Sequence, residues 1–199
     1  MLEAYHGKLN EEKCLIGSGR KISMFFFLQE VHCTKETCDL WQNELGYKAL
    51  FSCENSRMAG VAILFKNNFD FVLNKDYADP GGRFIILDIK TTDLCFTLVN
   101  LYAPNKDDPL FFQNVKNRIL EFDCDNIIFG GHFNLIKNAK LDKEGGILGT
   151  SQTKALTEVE KIQINLDLSD IWRDQIPLTR DLHGEGVIHL YPADLTFFF

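Results

Sequence analysis

An α/β sandwich, two mixed sheets packed face to face with helices outside, is the architecture that three features of this sequence predict. First, Met24 to Leu28 and Ile127 to Phe129 are continuous apolar runs bounded by polar or turn residues, the pattern of strands covered on both faces. Second, Arg83 to Ile89 and Leu94 to Leu101 flank Lys90-Thr91-Thr92-Asp93, which predicts a β-hairpin. Third, Pro109 opens a segment in which Phe112, Val115, Ile119 and Phe122 recur at helical spacing, with proline in the favoured first turn.

The remaining elements follow in order. Residues 1–23 lack periodicity and contain Gly7, Gly17 and Gly19, and are read as an irregular N-terminal segment ahead of one domain over 24–199. After the strand ending at Leu28, Thr34 or Thr37 is placed to cap a helix with Cys38, Trp41 and Leu45 on one face, stopped by Gly46. Tyr47 to Cys53 and Gly60 to Phe65 read as strands and Phe69 to Leu73 as a short one. Beyond Asn134, Lys137, Lys140, Lys143 and Gly145-Gly146 mark a loop, and Thr153 to Leu166 a helix with Leu156, Val159 and Ile162 inward. Leu168 to Arg173 is assigned to packing through Trp172, and Thr196 to Phe199 to the start of a strand. A length of 199 residues is enough to bury a core without staples.

Composition narrows the function classes. Hydrophobic residues make up 45% and charged residues 25%, ordinary values for a globular protein. A net charge of −7 argues against a broad basic surface that grips nucleic acid. Any contact with a phosphodiester backbone is then expected to be local, weak or assisted by divalent cations. The six cysteines (14, 33, 38, 53, 95 and 124) form no C-x-x-C pair and no zinc spacing, so reduced, mostly buried thiols and no structural zinc are expected. No apolar run reaches the roughly 18 residues of a membrane span, and the first 23 residues do not resemble a secretory signal. The expected location is intracellular, nuclear or cytoplasmic, with no membrane contact.

The most informative stretch is Asn126-Ile127-Ile128-Phe129-Gly130-Gly131-His132-Phe133-Asn134. The glycine pair allows a sharp turn and the close approach of a ligand. His132 and Asn134 are two residues apart, so on extended backbone both point one way while Phe133 points into the core. Upstream lie Phe27-Leu28-Gln29-Glu30-Val31-His32 and Asn100-Leu101-Tyr102-Ala103-Pro104-Asn105, each polar at the end of an apolar run. Taken singly these residues have bland readings: a solvated strand-end Glu30, a rim Tyr102, an Asx-turn cap at Asn134.

Gly-Gly-x-Phe-Asn together with those two strings, in that order, resembles the exonuclease–endonuclease–phosphatase superfamily. The likeness is greatest to the endonuclease domain that opens the polyprotein of long interspersed (LINE) retrotransposons, where a reverse transcriptase is associated. It covers roughly residues 24–199. It implies a two-sheet α/β sandwich and a Mg²⁺-dependent (or Mn²⁺-dependent) endonuclease that nicks target DNA. The implied roles are Glu30 as metal ligand, Tyr102 as donor to a phosphate oxygen, Asn134 orienting phosphate or water, and Asn105 at the substrate rim.

Three positions depart from the pattern. The family has Asp where this chain has His132, and a carboxylate there positions or deprotonates the attacking water. Imidazole lacks the negative charge and the second oxygen, although a general-base role with a pKa near 6.5 is open to it. Asn10 and Gly17 do not reproduce the family's Asn-x-x-Gly-Leu, and no Ser-Asp-His string occurs; His183 and His189 do not match it. The expectation is a domain incomplete at both ends whose catalysis is impaired by His132 and by the missing C-terminal Asp and His, the alternative being a non-catalytic remnant that folds and binds DNA or protein.

Overall fold

A computed structural model describes residues 24–32, 34, 38–39, 47–54, 60–135, 153–170 and 190–192, the last by backbone only. Residues 1–23, most of the helix expected after Thr34, the lysine-bearing loop, Trp172, His183, His189 and the strand expected at 196–199 lie outside the described residues.

Strands β1 (Phe25–Gln29), β2 (Lys48–Ser52) and β3 (Val61–Phe65) form an antiparallel sheet in the order β1-β3-β2. Strands β4 (Val72–Ala78), β5 (Phe84–Lys90), β6 (Cys95–Tyr102), β7 (Ile127–His132), β8 (Leu168–Asp170) and β9 (Leu190–Pro192) form the second, in the order β4-β5-β6-β7-β9-β8. The second sheet is mixed: β6 runs parallel to β7, and its other neighbours pair antiparallel. The parallel step needs a crossover, and helix α1 (Pro109–Ile119) supplies it. Helix α2 (Lys154–Asn165) packs beside α1.

Side-chain parity sorts the residues into layers. Val61, Ile63 and Phe65 of β3 meet Ile85, Leu87, Ile89, Leu98 and Ile128 between the two sheets. The opposite face of the larger sheet, with Ile86, Val99, Leu101 and Phe129, packs on Phe112, Val115 and Ile119 of α1 and Leu156, Val159 and Ile162 of α2. Leu28, Ala62 and Leu64 face outward from the smaller sheet into a third cluster. The two-sheet sandwich is therefore present, with helices against the larger sheet.

Local signals place the helices where the periodicity puts them. Asp108 Oδ1 accepts from the Phe111 amide at 3.2 Å and Pro109 fills the first turn of α1. At α2, Thr153 Oγ1 accepts from the Leu156 amide at 3.1 Å, and Asp107 accepts from the Lys154 and Ala155 amides at 3.2 and 2.8 Å. Asp107 thus joins the entry of α1 to the N-terminus of α2.

Three expectations are corrected. The short strand expected at Phe69 to Leu73 is instead Val72–Ala78, an edge strand of which only Tyr77 is half-buried. Its polar Asn74-Lys75-Asp76 hides the pattern because pairing to β5, with a register shift between Leu73 and Lys75, holds it rather than burial. The glycines after Phe129 do not end a strand: Gly130, Gly131 and His132 continue β7 beside Asn100, Leu101 and Tyr102. The reduced-thiol expectation fails at Cys95 and Cys124, which form a disulfide with Cα atoms 6.0 Å apart, and Cys53 is also disulfide-bonded. Cys38 is free. The Cys95–Cys124 link fastens the turn after α1 to the start of β6, a junction already closed by Thr97 Oγ1 donating to the Cys124 carbonyl at 2.9 Å.

Candidate active site

Parity in three strands brings polar side chains to one end of the space between the sheets. In β1 the series Phe25, Phe27 faces the inter-sheet core and is continued by Gln29; in β6 Leu98 is followed by Asn100 and Tyr102; in β7 Ile128 is followed by His132. Where the apolar layer stops, amide, phenol and imidazole begin.

The strand ends are held by backbone hydrogen bonds. The Val31 amide donates to the Gly60 carbonyl at 3.1 Å and the Gly60 amide to Gly82 at 2.9 Å. Tyr102 N–H donates to Arg83 at 2.7 Å and Ala103 N–H to His132 at 2.8 Å. Within this frame Glu30, His32 and Asn134 take left-handed backbone conformations, with φ of 55°, 47° and 52°. Such conformations are uncommon for residues with a Cβ and cluster at functional sites. Asn134 therefore departs from the extended backbone expected of it, yet Phe133 is fully buried and the two polar neighbours do converge.

Glu30, Tyr102, His132, Asn134 and Asn105 form one connected chain. Tyr102 Oη donates to Glu30 Oε1. The Tyr102 and His132 rings lie 5.5 Å apart between centroids. His132 Nε2 is 2.6 Å from Asn134 Oδ1, and Asn134 Nδ2 donates to the Ala103 carbonyl at 2.6 Å and to Asn105 Oδ1 at 2.8 Å. All five predicted site residues are thus brought together, although Tyr102 gives its one O–H to Glu30 in this arrangement.

The network fixes a tautomer. Asn134 turns its NH₂ toward two acceptors, so its oxygen faces His132, and an amide oxygen only accepts. The imidazole proton therefore sits on Nε2, and in the neutral ring only Nδ1 keeps a lone pair for proton transfer.

Arg83, unremarked in the sequence beyond its place at the start of a strand, belongs to this site. Its guanidinium carbon lies 5.4 Å from the Tyr102 ring centroid and Nη1 donates to the Tyr102 carbonyl at 3.5 Å. Half-buried, it sets a positive charge against Tyr102 in a chain of net charge −7. Its only sequence signal is the preceding Gly81-Gly82 turn, which is not specific.

Among the described residues no three His, Cys, Asp or Glu side chains gather as a metal-binding group. Mg²⁺ asks for less: hard oxygen donors, commonly one or two carboxylates with water completing the shell. The exposed Glu30 carboxylate at a strand end fits that requirement.

A small antiparallel sheet packed on a larger mixed one, with helices outside and polar strand ends meeting at one edge, is the exonuclease–endonuclease–phosphatase fold, and the chain has it. An AP endonuclease from Archaeoglobus fulgidus superposes with a TM-score of 0.66 at 17% identity, over 96% of this chain and 80% of that one. The endonuclease domain of TRAS1, a telomere-specific non-LTR retrotransposon, superposes at 0.52 with 15% identity, over 75% and 68%. In sequence, the chain is a distant homologue of part of the transposon TX1 uncharacterized 149 kDa protein of Xenopus laevis, 30% identical over 157 residues. The match covers 77% of this chain and 12% of that protein. No protein-family model matches the chain.

Proposed function

We propose that residues 24–199 form a LINE-type DNA endonuclease domain that hydrolyses phosphodiesters with Mg²⁺ and whose catalysis is impaired by His132. The connected Glu30–Tyr102–His132–Asn134–Asn105 network at the strand ends carries this reading. The homology to part of a transposon protein and the shared fold with a retrotransposon endonuclease domain support the substrate class.

Mechanism follows from what each group can do. Glu30 would hold the ion, which when bound offsets phosphate charge and lowers the pKa of water. Tyr102 gives its single hydroxyl proton to Glu30 here and would have to turn it away to donate to a phosphate oxygen, while Arg83 adds positive charge beneath the same ring. Asn134 holds Asn105 through its NH₂, and so joins His132 to an exposed amide that could meet substrate.

His132 is the weak point. A carboxylate at this position would accept protons from water with either oxygen, whereas the imidazole spends Nε2–H on Asn134 and carries no negative charge. That bond also favours the second reading, a folded remnant that binds DNA or protein without cutting, because it closes His132 and Asn134 upon each other. Supercoiled plasmid separates the two. The endonuclease reading predicts slow conversion to nicked circles in Mg²⁺ that stops in chelator; DNA retention without nicking is the result of the remnant reading.

A further inference from the structure

We infer that Asn100 is a positioning residue for the proposed site: a buried amide that locks the ends of β1 and β3 onto β6 and through Gln29 holds Glu30 against Tyr102. The inference rests on the site proposed above but concerns residues outside its reacting groups.

Asn100 is fully buried in the middle of the larger sheet, where an unpaired amide is costly. Its NH₂ donates to the Leu28 carbonyl and to the Ala62 carbonyl, both at 2.9 Å, and its oxygen accepts from Gln29 Nε2 at 2.7 Å. Both donor protons are used, and the partners belong to two different strands of the other sheet. One side chain therefore joins β6 to β1 and β3 across a layer otherwise made of Phe, Ile, Leu and Val. Apolar packing between sheets leaves sliding along the strands weakly opposed, whereas three directional bonds at one point set the offset.

That point lies next to the proposed site. Leu28 and Gln29 immediately precede Glu30, whose left-handed backbone begins where the clamp ends. Tyr102, two residues after Asn100 on the same face of β6, receives the Glu30 carboxylate. Asn100 thus fixes both members of the Glu30–Tyr102 pair from one position, by way of β1 on one side and its own strand on the other. Gly131 makes room for it, since a Cβ there would lie 3.0 Å from Asn100 Oδ1.

The test reads the pair directly. 3-Fluorotyrosine is incorporated, the Tyr102 ¹⁹F resonance is assigned with Tyr102→Phe, and Glu30→Gln gives its position when the carboxylate is lost. Gln29→Met and Asn100→Thr are expected to move the resonance toward the Glu30→Gln value. Ile119→Val, a packing change on the far face of the sheet, leaves it in place. If Asn100→Thr does not fold, Gln29→Met decides alone, because it removes the bond to Asn100 from a half-buried position. A resonance unmoved in folded Gln29→Met, or insensitive to Glu30→Gln in the parent, overturns the inference. Where the parent nicks plasmid, the same variants should lose kcat on the order of 100-fold with KM little changed, as misplacement of a reacting group does. A parent that does not nick removes the functional reading but leaves the ¹⁹F result to decide the positioning role.

Discussion

Glu30→Gln is expected to abolish nicking by this chain, by at least on the order of 100-fold, and to remove its binding of Mg²⁺ or Mn²⁺. The substitution keeps the shape of the side chain, so the frame through Val31 and Gly60 is untouched. What changes is charge. A neutral amide oxygen is a poor ligand for a hard divalent ion, and it turns a charge-assisted bond from Tyr102 into an ordinary one. Binding in the parent should be weak, because among the described residues one carboxylate at the site supplies the charge. Isothermal titration or Mn²⁺ relaxation enhancement measures it, and equal binding in Glu30→Gln and parent would remove Glu30 from the metal site.

The second large effect falls on folding. Gly131 has φ of +127°, a conformation residues with a Cβ rarely adopt, and a Cβ there would lie 2.1 Å from the Leu101 carbonyl oxygen and 2.7 Å from its nitrogen. These atoms belong to the backbone of β6, the strand paired with β7, so neither can move without breaking the ladder. Gly131→Ala is therefore expected to destabilise by about 4 kcal/mol or more, the range reached only when strain and a clash combine. Urea unfolding reads the loss, and a midpoint within error of the parent would show that the two strands separate here more easily than the geometry allows. The glycine serves strand contact, not the approach of a ligand that its place in the motif suggested.

That difference shows where the sequence is legible. Strands β3, β5, β6 and β7 announce themselves because burial on both faces demands mostly apolar residues, β1 because its run of Phe and Leu is apolar although half-buried, and α1 and α2 because one buried stripe and a cap suffice. Strand β4 does not, since an exposed edge is held by ladder bonds that any residue makes, and three-residue strands such as β8 and β9 are too short for a period. Glu30, Tyr102, His132 and Asn134 are visible as polar residues at the ends of apolar runs. Gln29, Asn100 and Arg83 are not, because their importance depends on which strand lies opposite: Asn100 meets Leu28 across 72 positions of chain. The pairing of Cys95 with Cys124, 29 residues apart, likewise has no spacing signature and emerges only when the turn after α1 is folded onto β6.

His132→Asp in the otherwise unaltered chain tests the central claim, that this is an endonuclease site whose catalysis is impaired at His132, most directly. Initial rates of plasmid nicking in Mg²⁺ are compared for the two proteins from about pH 5.5 to 9, the span in which histidine side chains change charge. The account predicts that His132→Asp nicks at least as fast as the parent at every pH. It also predicts that any rise of the parent's rate with pH stays small, since the imidazole offers only Nδ1 as a base and carries no negative charge to hold the attacking water. A parent that nicks readily, with a rate climbing through the imidazole pKa and lost in His132→Asp, would make His132 the working base and contradict the account.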